Sequence, residues 1–538
     1  MVQRAIQKSK ELAAQQAAAE SEALARGNQA SKMSVDSTVF GAQSGHGEAL
    51  DSLATTPSSR GGSKRILVYS HSLPPWVDGV SFRYTAHMKM LKEAGHTVTA
   101  VTIEEKLDSA VTDSCAKTHF VDSTCLYWYP AKRFPDLTLR NLARVWRACV
   151  ESRAEVIHAT MCPSLPLFFI CARALNIPLV IAIHTDSVTL LEKCGQPAWT
   201  VATCKMLEPL GTWFADATYT VSPSYGAILL SRGCRCLDVT WGGYANTSVF
   251  NPEVSKGDWR NTLSFGHPED FIIITAGRVS PEKDIGFLVE LVASFRARGL
   301  RVWLGIIGDG PAAADFAPLH GDDDATGVWF IPGFLGQREL ASVYRAADVV
   351  CSASTFETFG FTALEAMACG TPFLGPRAQG FRDVVSHGKG GYLFDAHDQT
   401  SAAHYLELMV HENAELFPEA GVIASTADFT AKNCLKRTLL AYDETIRRRN
   451  ASSARFGCGP GSNPLRKAIM SAVRALPSLI MLFFMALNWV LLNLPLAFVA
   501  AQKWWAQARR TAGATWDRRM RYTNLTRNRV LVGSQVTS

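Results

Sequence analysis

A chain of 538 residues, 47% of them hydrophobic, is globular in composition and long enough for two or three domains. Its formal net charge of +6 is mild over that length and does not argue for a nucleic-acid partner. The 13 cysteines are scattered, and Cys234-Arg-Cys236, the tightest pair, has no second pair to complete a zinc site. A reducing, cytosol-facing compartment is the simplest reading.

Residues 1–63 read as a disordered tail. An Ala/Gln/Glu-rich segment gives way to Ser, Gly and Thr with few large apolar residues, and no apolar secretory core is present. Order is expected from Arg65-Ile-Leu-Val-Tyr-Ser70, a first buried strand. A loop, Pro74 to Ser81 with Gly79 inside it, leads to a helix ending near Ala94. Thr97–Thr102 then supplies a second strand, which makes a βαβ opening. Further strands are predicted at Ala154–His158, Pro178–Ile183 and Thr218–Ser222, with a buried helix over 163–175 and a small-residue loop after Ser222. His184 stands at the C-terminal end of its strand, where parallel α/β sheets place ligands.

A second domain is expected over 251–430. Phe271–Ala276 is a wholly apolar strand that runs into Gly277-Arg278, with Lys283 five residues further on and a helix from about Phe287. A glycine turn with an Arg and a Lys beside a helix start suits a diphosphate: Arg bridges two oxygens and Lys adds a point charge. Val302–Ile307 is another strand, ending in Gly308-Asp-Gly310, either a nucleotide-side turn or an ordinary one. Asp322-Asp-Asp324 reads as solvated charge in a loop, and no metal site is expected. After a strand end at Val349–Cys351 comes the polar loop Ser352–Glu357, then Thr-Phe-Gly-Phe-Thr-Ala-Leu-Glu365 and a stop at Gly370-Thr-Pro372. Glu357 and Glu365 are read as lying near the start of, and inside, one short helix, separated by a little over two turns and so able to face the same way. Backbone N–H groups at Phe359, Gly360 and Phe361 would form an anion-attracting helix end. Helices are predicted over 400–412 and 430–449.

A Ser/Gly/Pro linker precedes Ala475–Ala501, a stretch without a charge and long enough to cross a bilayer. Asn488, Asn493 and Pro495 interrupt it, so either a single span or a shallow interfacial hairpin fits. The tail 502–538 is basic, suited to anionic headgroups, and Trp504-Trp505 suit an interfacial belt.

The Glu357–Glu365 passage, with Gly375–Asp383 and Gly390–Phe394 after it, resembles the E-x7-E element of the family 4 retaining glycosyltransferases, a group of GT-B fold. The likeness spans roughly 64–445. Val156-Ile-His-Ala, Ile183-His-Thr and Ser248–Pro252 look most like the plant-type sulfolipid synthases of that family. The resemblance implies an α/β GT-B architecture: an acceptor domain over 64–250, a nucleotide-sugar domain over 251–430, and a helix 431–450 returning to the first. It implies Arg278 and Lys283 on the donor diphosphate, Glu365 on ribose hydroxyls, Glu357 on sugar hydroxyls and His184 near the sugar. Gly277 and the Phe359–Phe361 backbone would assist, and the Gly79 loop would lie near donor phosphates. Val239–Pro252 resembles the family's hinge, but reads Gly-Tyr-Ala-Asn where Gly-Val-Asp is usual, which weakens any role for Asn246. The implied reaction moves a sugar from a nucleotide-sugar, UDP favoured and UDP-sulfoquinovose in view, to a lipid such as diacylglycerol, with no metal or other cofactor. A GDP-mannose-dependent lipid mannosyltransferase and an inactive membrane scaffold of the same fold are the alternatives. A membrane location facing the cytosol is expected, or the plastid stroma if the N-terminal tail is a transit peptide.

Overall fold

The computed structural model describes residues 62–455, apart from positions 77, 105, 127–128, 194, 236–238, 241 and 317–325. The predicted N-terminal tail up to residue 61, the apolar stretch 475–501, the basic tail and Asp322–Asp324 lie outside the described residues. Among the described residues, no helix is long and apolar enough to cross a membrane.

Fifteen strands are described. In chain order they are β1 Arg65–Tyr69, β2 Thr97–Thr102, β3 Lys117–Phe120, β4 Ser123–Leu126, β5 Tyr129–Pro135, β6 Val156–Thr160, β7 Leu179–Ile183, β8 Ala217–Thr220, β9 Val239–Thr240, β10 Phe271–Ala276, β11 Val302–Gly308, β12 Val328–Pro332, β13 Val349–Cys351, β14 Phe373–Pro376 and β15 Gly391–Phe394. They form one parallel sheet in the order β3-β2-β1-β6-β7-β8-β9 and a second in the order β12-β11-β10-β13-β14-β15, with β4 and β5 as a separate antiparallel hairpin. Each sheet's order reverses around its first strand, β1 or β10, the doubly wound pattern that puts ligand crevices at the C-terminal strand ends.

Alternation along β1 shows how the first sheet is covered. Leu67 and Tyr69 belong to one core layer, which the helices Leu139–Ser152 and Leu165–Leu175 cover. Ile66 and Val68 belong to the other, under the helix Gly79–Glu93. That helix starts earlier than its sequence predicts. Asp78 Oδ1 accepts from the Ser81 backbone N–H at 2.7 Å, so Gly79 is its first residue and not part of a loop. The segment after Ser222, expected as a loop, is the helix Pro223–Ser231: Ser222 caps it and Pro223 takes its first position.

The helix Ala431–Arg455 packs on the first domain. The Tyr442 hydroxyl is buried 3.1 Å from His87 Nε2 and 2.6 Å from His158 Nδ1. Lys64 pairs with Asp443 at 2.9 Å, and Arg449 reaches Asn176 and Asp216, each at 3.2 Å. Burial, with the nearby Arg83 guanidinium, lowers His158 to about 3 and holds His184 well below the ordinary imidazole value. His87 is likewise held well below it, by burial and then by His158 and Arg83.

All three imidazoles are therefore neutral in the fold, whereas unfolded they take up protons below about pH 6.5. Their contribution is fully present above that pH and is lost as pH falls from about 6.5 towards 3, at about 1.4 kcal/mol per pH unit for each unbalanced proton. Glu208 and Glu365, pushed up to about 7 and about 8 by burial, run the other way and offset part of it. Thermal unfolding is expected at a lower temperature at pH 5 than at pH 7. Replacing His158 with Gln should flatten that dependence, and an unchanged slope would exclude this origin.

Candidate active site

Three turns at the C-terminal ends of the second sheet build the site. The first follows β10. Gly277 there has φ +143°, a value only glycine adopts without strain, and its N–H donates to Ile307 O at 3.0 Å. The turn after β11 buttresses it. Val279 N–H donates to Asp309 O at 3.0 Å, and a Cβ on Gly308 would stand 1.8 Å from Gly277 O. Gly308-Asp-Gly310 thus supports the Arg278 turn from behind.

The short 3₁₀ turn Pro281–Lys283 then aims Lys283 inward, before the helix Ile285–Ala297 begins. Lys283 Nζ donates to Glu357 Oε2 at 2.8 Å, with only about a quarter of either side chain exposed (28% and 23%). Burial pulls the lysine down, but the adjacent Glu357 carboxylate outweighs it and holds the group above the ordinary lysine range, so it is charged. Ser354 Oγ, donating to Glu282 O at 3.2 Å, ties the lysine turn to the glutamate loop.

Arg278, Lys283, Gly277, Glu357 and Thr362 line one pocket at the C-terminal ends of β10 and β13. Ile285 and Phe381 give it apolar walls, and Arg278 is exposed at its mouth. A charged Lys–Glu pair with a second cation in a partly apolar cleft can hold an anion and a hydroxyl-rich group side by side.

Several expected placements differ. Glu357 is not on a helix. Gly360, at φ +100°, is the left-handed residue before the helix Phe361–Ala368, so Glu357 lies in the loop four residues upstream. Glu357 and Glu365 are therefore not separated by two turns of one helix. Glu365 is inside that helix, as its sequence predicts, and half-buried; it stands outside the wall of this pocket, and burial pushes its carboxyl up to about 8. Phe359 and Phe361 use their rings for contact: they lie 4.8 Å apart, with the Arg83 guanidinium 5.7 and 5.6 Å from their centroids. Gly79, exposed and with open space where a Cβ would be, does not line the pocket either.

His184 is buried just beyond β7, its Nε2 3.2 Å from the Tyr84 hydroxyl. Its carbonyl accepts from Thr358 Oγ1 at 2.7 Å, one residue past Glu357. The first domain therefore grips the glutamate loop directly. Ser222 Oγ donates to Thr358 O at 2.8 Å, and Asp383 accepts from the Ser224 N–H and hydroxyl, both at 2.9 Å. Gly243, in the hinge passage, approaches the aromatic pair so closely that a Cβ would lie 2.5 Å from Phe359. Sequence reading assigned no role to Arg83, Thr358, Ser222 or Asp383. Asn246 closes its own turn: its side chain accepts from Ser248. Among the described residues, no group of three or more His, Cys, Asp or Glu is placed to hold a metal ion.

The family described as "Glycosyl transferase 4-like domain" matches residues 78–239, and "Glycosyl transferases group 1" matches residues 260–420. The sulfoquinovosyl transferase SQD2 of Arabidopsis thaliana is 27% identical over 380 residues, 68% of this chain and 70% of its own length. A GDP-mannose-dependent alpha-mannosyltransferase of Mycobacterium tuberculosis is 27% identical over 336 residues, 61% of this chain and 83% of its own. In fold, the Anabaena protein Alr3699/HepE, solved in complex with UDP, aligns with TM-score 0.54 and 17% identity, covering 71% of this chain and 100% of its own. Two doubly wound domains, a charged pocket at the second sheet's crevice and these matches over both halves have one meaning: the chain belongs to the group 1 glycosyltransferases of GT-B fold and transfers a sugar from a nucleotide-sugar donor.

Proposed function

We propose that this glycosyltransferase takes its sugar from a UDP-sugar, with UDP-sulfoquinovose the favoured donor, and delivers it with retained configuration to a membrane lipid such as diacylglycerol. The observation that carries the reading is the Lys283–Glu357 pair at 2.8 Å in the pocket that Arg278 also lines. Likeness to the sulfoquinovosyl transferase SQD2 supports the sugar, and the UDP complex of a protein of the same fold supports the nucleotide.

In this mechanism Arg278 and Lys283 hold the diphosphate, Glu357 the sugar hydroxyls and Glu365 the ribose hydroxyls. The bond from the anomeric carbon to the phosphate oxygen breaks as the acceptor oxygen attacks from the same face. The acceptor proton passes to the departing phosphate, so no protein nucleophile is consumed. Fixed cations aimed at the developing charge stabilise that transition state more than the ground state. His184, neutral in the fold, contacts the sugar as a hydrogen-bonding group and not as a charge.

The mannosyltransferase likeness favours a second reading, with a GDP-mannose donor. Thermal unfolding of the full chain in detergent, with UDP and GDP and their sugars in turn, separates the two. A ligand at one hundred times its dissociation constant adds about 2.7 kcal/mol of stability. Stabilisation by UDP species alone is expected. Stabilisation by GDP species alone would transfer the assignment to the second reading.

A further inference from the structure

Two helices on one side of the first domain carry large apolar side chains into solvent. On the helix Leu139–Ser152 they are Leu139 (84% exposed), Trp146 (40%) and Val150 (51%). On the helix Ala198–Trp213 they are Trp199 (42%), Met206 (54%) and Trp213 (54%). The spacings of seven and four on the first, and of seven and seven on the second, place each set along a single stripe of its helix.

The helix Leu139–Ser152 packs Val145, Ala148 and Cys149 on the core layer of Leu67 and Tyr69, with the buried helix Leu165–Leu175 in the same layer; Leu207 and Leu210 of the helix Ala198–Trp213 pack on that layer too, while its Val201 joins a small cluster with Val188 and Leu191. They therefore cover the same side of the sheet, away from the helix Gly79–Glu93 and the returning helix 431–455. Half of the twelve large apolar side chains exposed among the described residues stand on these two helices. A soluble surface scatters such groups singly; rows of them mark an interaction face.

Charge and chain path say what covers it. Arg140 and Arg147 are exposed beside the first stripe, and Arg235 lies over the Trp213 ring at 3.9 Å. Tryptophan with arginine beside an apolar row suits the boundary between headgroups and acyl chains. The returning helix 431–455, on the other side of the sheet, reaches the rim of this face: Arg449 contacts Asn176, which ends the helix Leu165–Leu175, and Asp216, just before β8. The uncharged stretch 475–501 and the basic tail follow. The helix Leu139–Ser152 runs antiparallel to β6, so its Leu139 end points to the side of the sheet where His184 lies.

We propose that this two-helix face is a docking surface for an anionic lipid bilayer, and that it lays the first domain flat on the membrane with the cleft at the membrane's edge. It is separate from any span that residues 475–501 make, and it holds whatever the acceptor is.

Hydroxyl-radical footprinting of the full chain tests it without turnover. The full chain is compared in a neutral amphipathic polymer and on phosphatidylcholine vesicles containing phosphatidylglycerol. The expected result is a several-fold drop in modification of Trp146, Trp199, Met206 and Trp213 on the vesicles, while Phe334 of the second domain, 64% exposed, keeps its rate. A full chain carrying both Trp146→Glu and Met206→Glu, which change only exposed positions, should lose the protection at Trp199 and Trp213. Unchanged rates on vesicle-bound wild type would overturn the proposal. So would equal protection in the polymer on raising the protein concentration, which would make the face a contact between copies of the chain. Protection of the wild type on vesicles, with no transfer from any UDP-sugar in a separate assay, would uphold the face and instead fault the assigned donor or acceptor.

Discussion

Lys283→Ala is expected to lower the rate of sugar transfer by about 10²–10³-fold, the usual consequence of removing one preorganised donor aimed at developing negative charge. The ammonium is charged, partly shielded from water and held at 2.8 Å by Glu357, so little reorganisation is needed when a leaving group arrives. Far-ultraviolet circular dichroism should be unchanged, because the side chain lies in a cleft and not in the core. Glu357→Gln should also cost activity, but through a different parameter. It removes the partner that positions Lys283 as well as the proposed sugar contact, so KM for the donor should rise along with the fall in kcat. The double variant should lose less than the product of the two single losses, since the residues act as a unit. Near-normal kcat in Lys283→Ala would remove the residue from the mechanism.

Whereas β3, the β4–β5 hairpin, β9, β14 and β15 were not predicted, the central strands of both sheets were readable because parallel sheets buried on two faces leave unbroken apolar runs. Phe271–Ala276 is the plainest, and its observed bounds match. His184 could be placed at a strand end for the same reason. The glutamate pair could not. A spacing of eight is compatible with a helix, but Gly360 at φ +100° delays the helix to Phe361 and leaves Glu357 on a loop that the first domain grips. Gly360 was the available signal, as a residue free to take that conformation. The helix Pro223–Ser231 also had its signal, a serine cap followed by proline, hidden behind small residues. The helix Ala198–Trp213 carries apolar groups on two faces and a proline at 209, which blurs the one-sided pattern that marks a surface helix. The grip of Ser222, Ser224 and His184 on Thr358 and Asp383 joins residues more than a hundred positions apart, and no local pattern encodes it.

Asp186→Ala is expected to be the most destabilising single change near the cleft, at about 3–5 kcal/mol, because it strands a partly buried guanidinium. Asp186 is fully buried, two residues beyond His184. Its carboxylate accepts from Arg232 Nη1 at 2.7 Å and Nη2 at 2.9 Å, and from the N–H and hydroxyl of Thr189 at 3.1 and 2.7 Å. It therefore caps the helix Ser187–Lys193 as well as pairing the arginine. Glu208, 3.3 Å from Arg232, is the second acid of the cluster, and burial pushes it up to about 7. In Asp186→Ala it becomes the arginine's sole carboxylate in this cluster and should return towards the ordinary range, recovering part of the loss. Asp186→Asn keeps an acceptor for Thr189 but not the charge, so its cost should fall between wild type and Ala. Chemical denaturation checks the order through the midpoint. A midpoint for Asp186→Ala equal to wild type would mean that the desolvation cost of the pair cancels its attraction. Because the same carboxylate fixes where the chain turns after β7, activity at temperatures well below unfolding should also drop, through a displaced His184 and a loosened hold on Thr358.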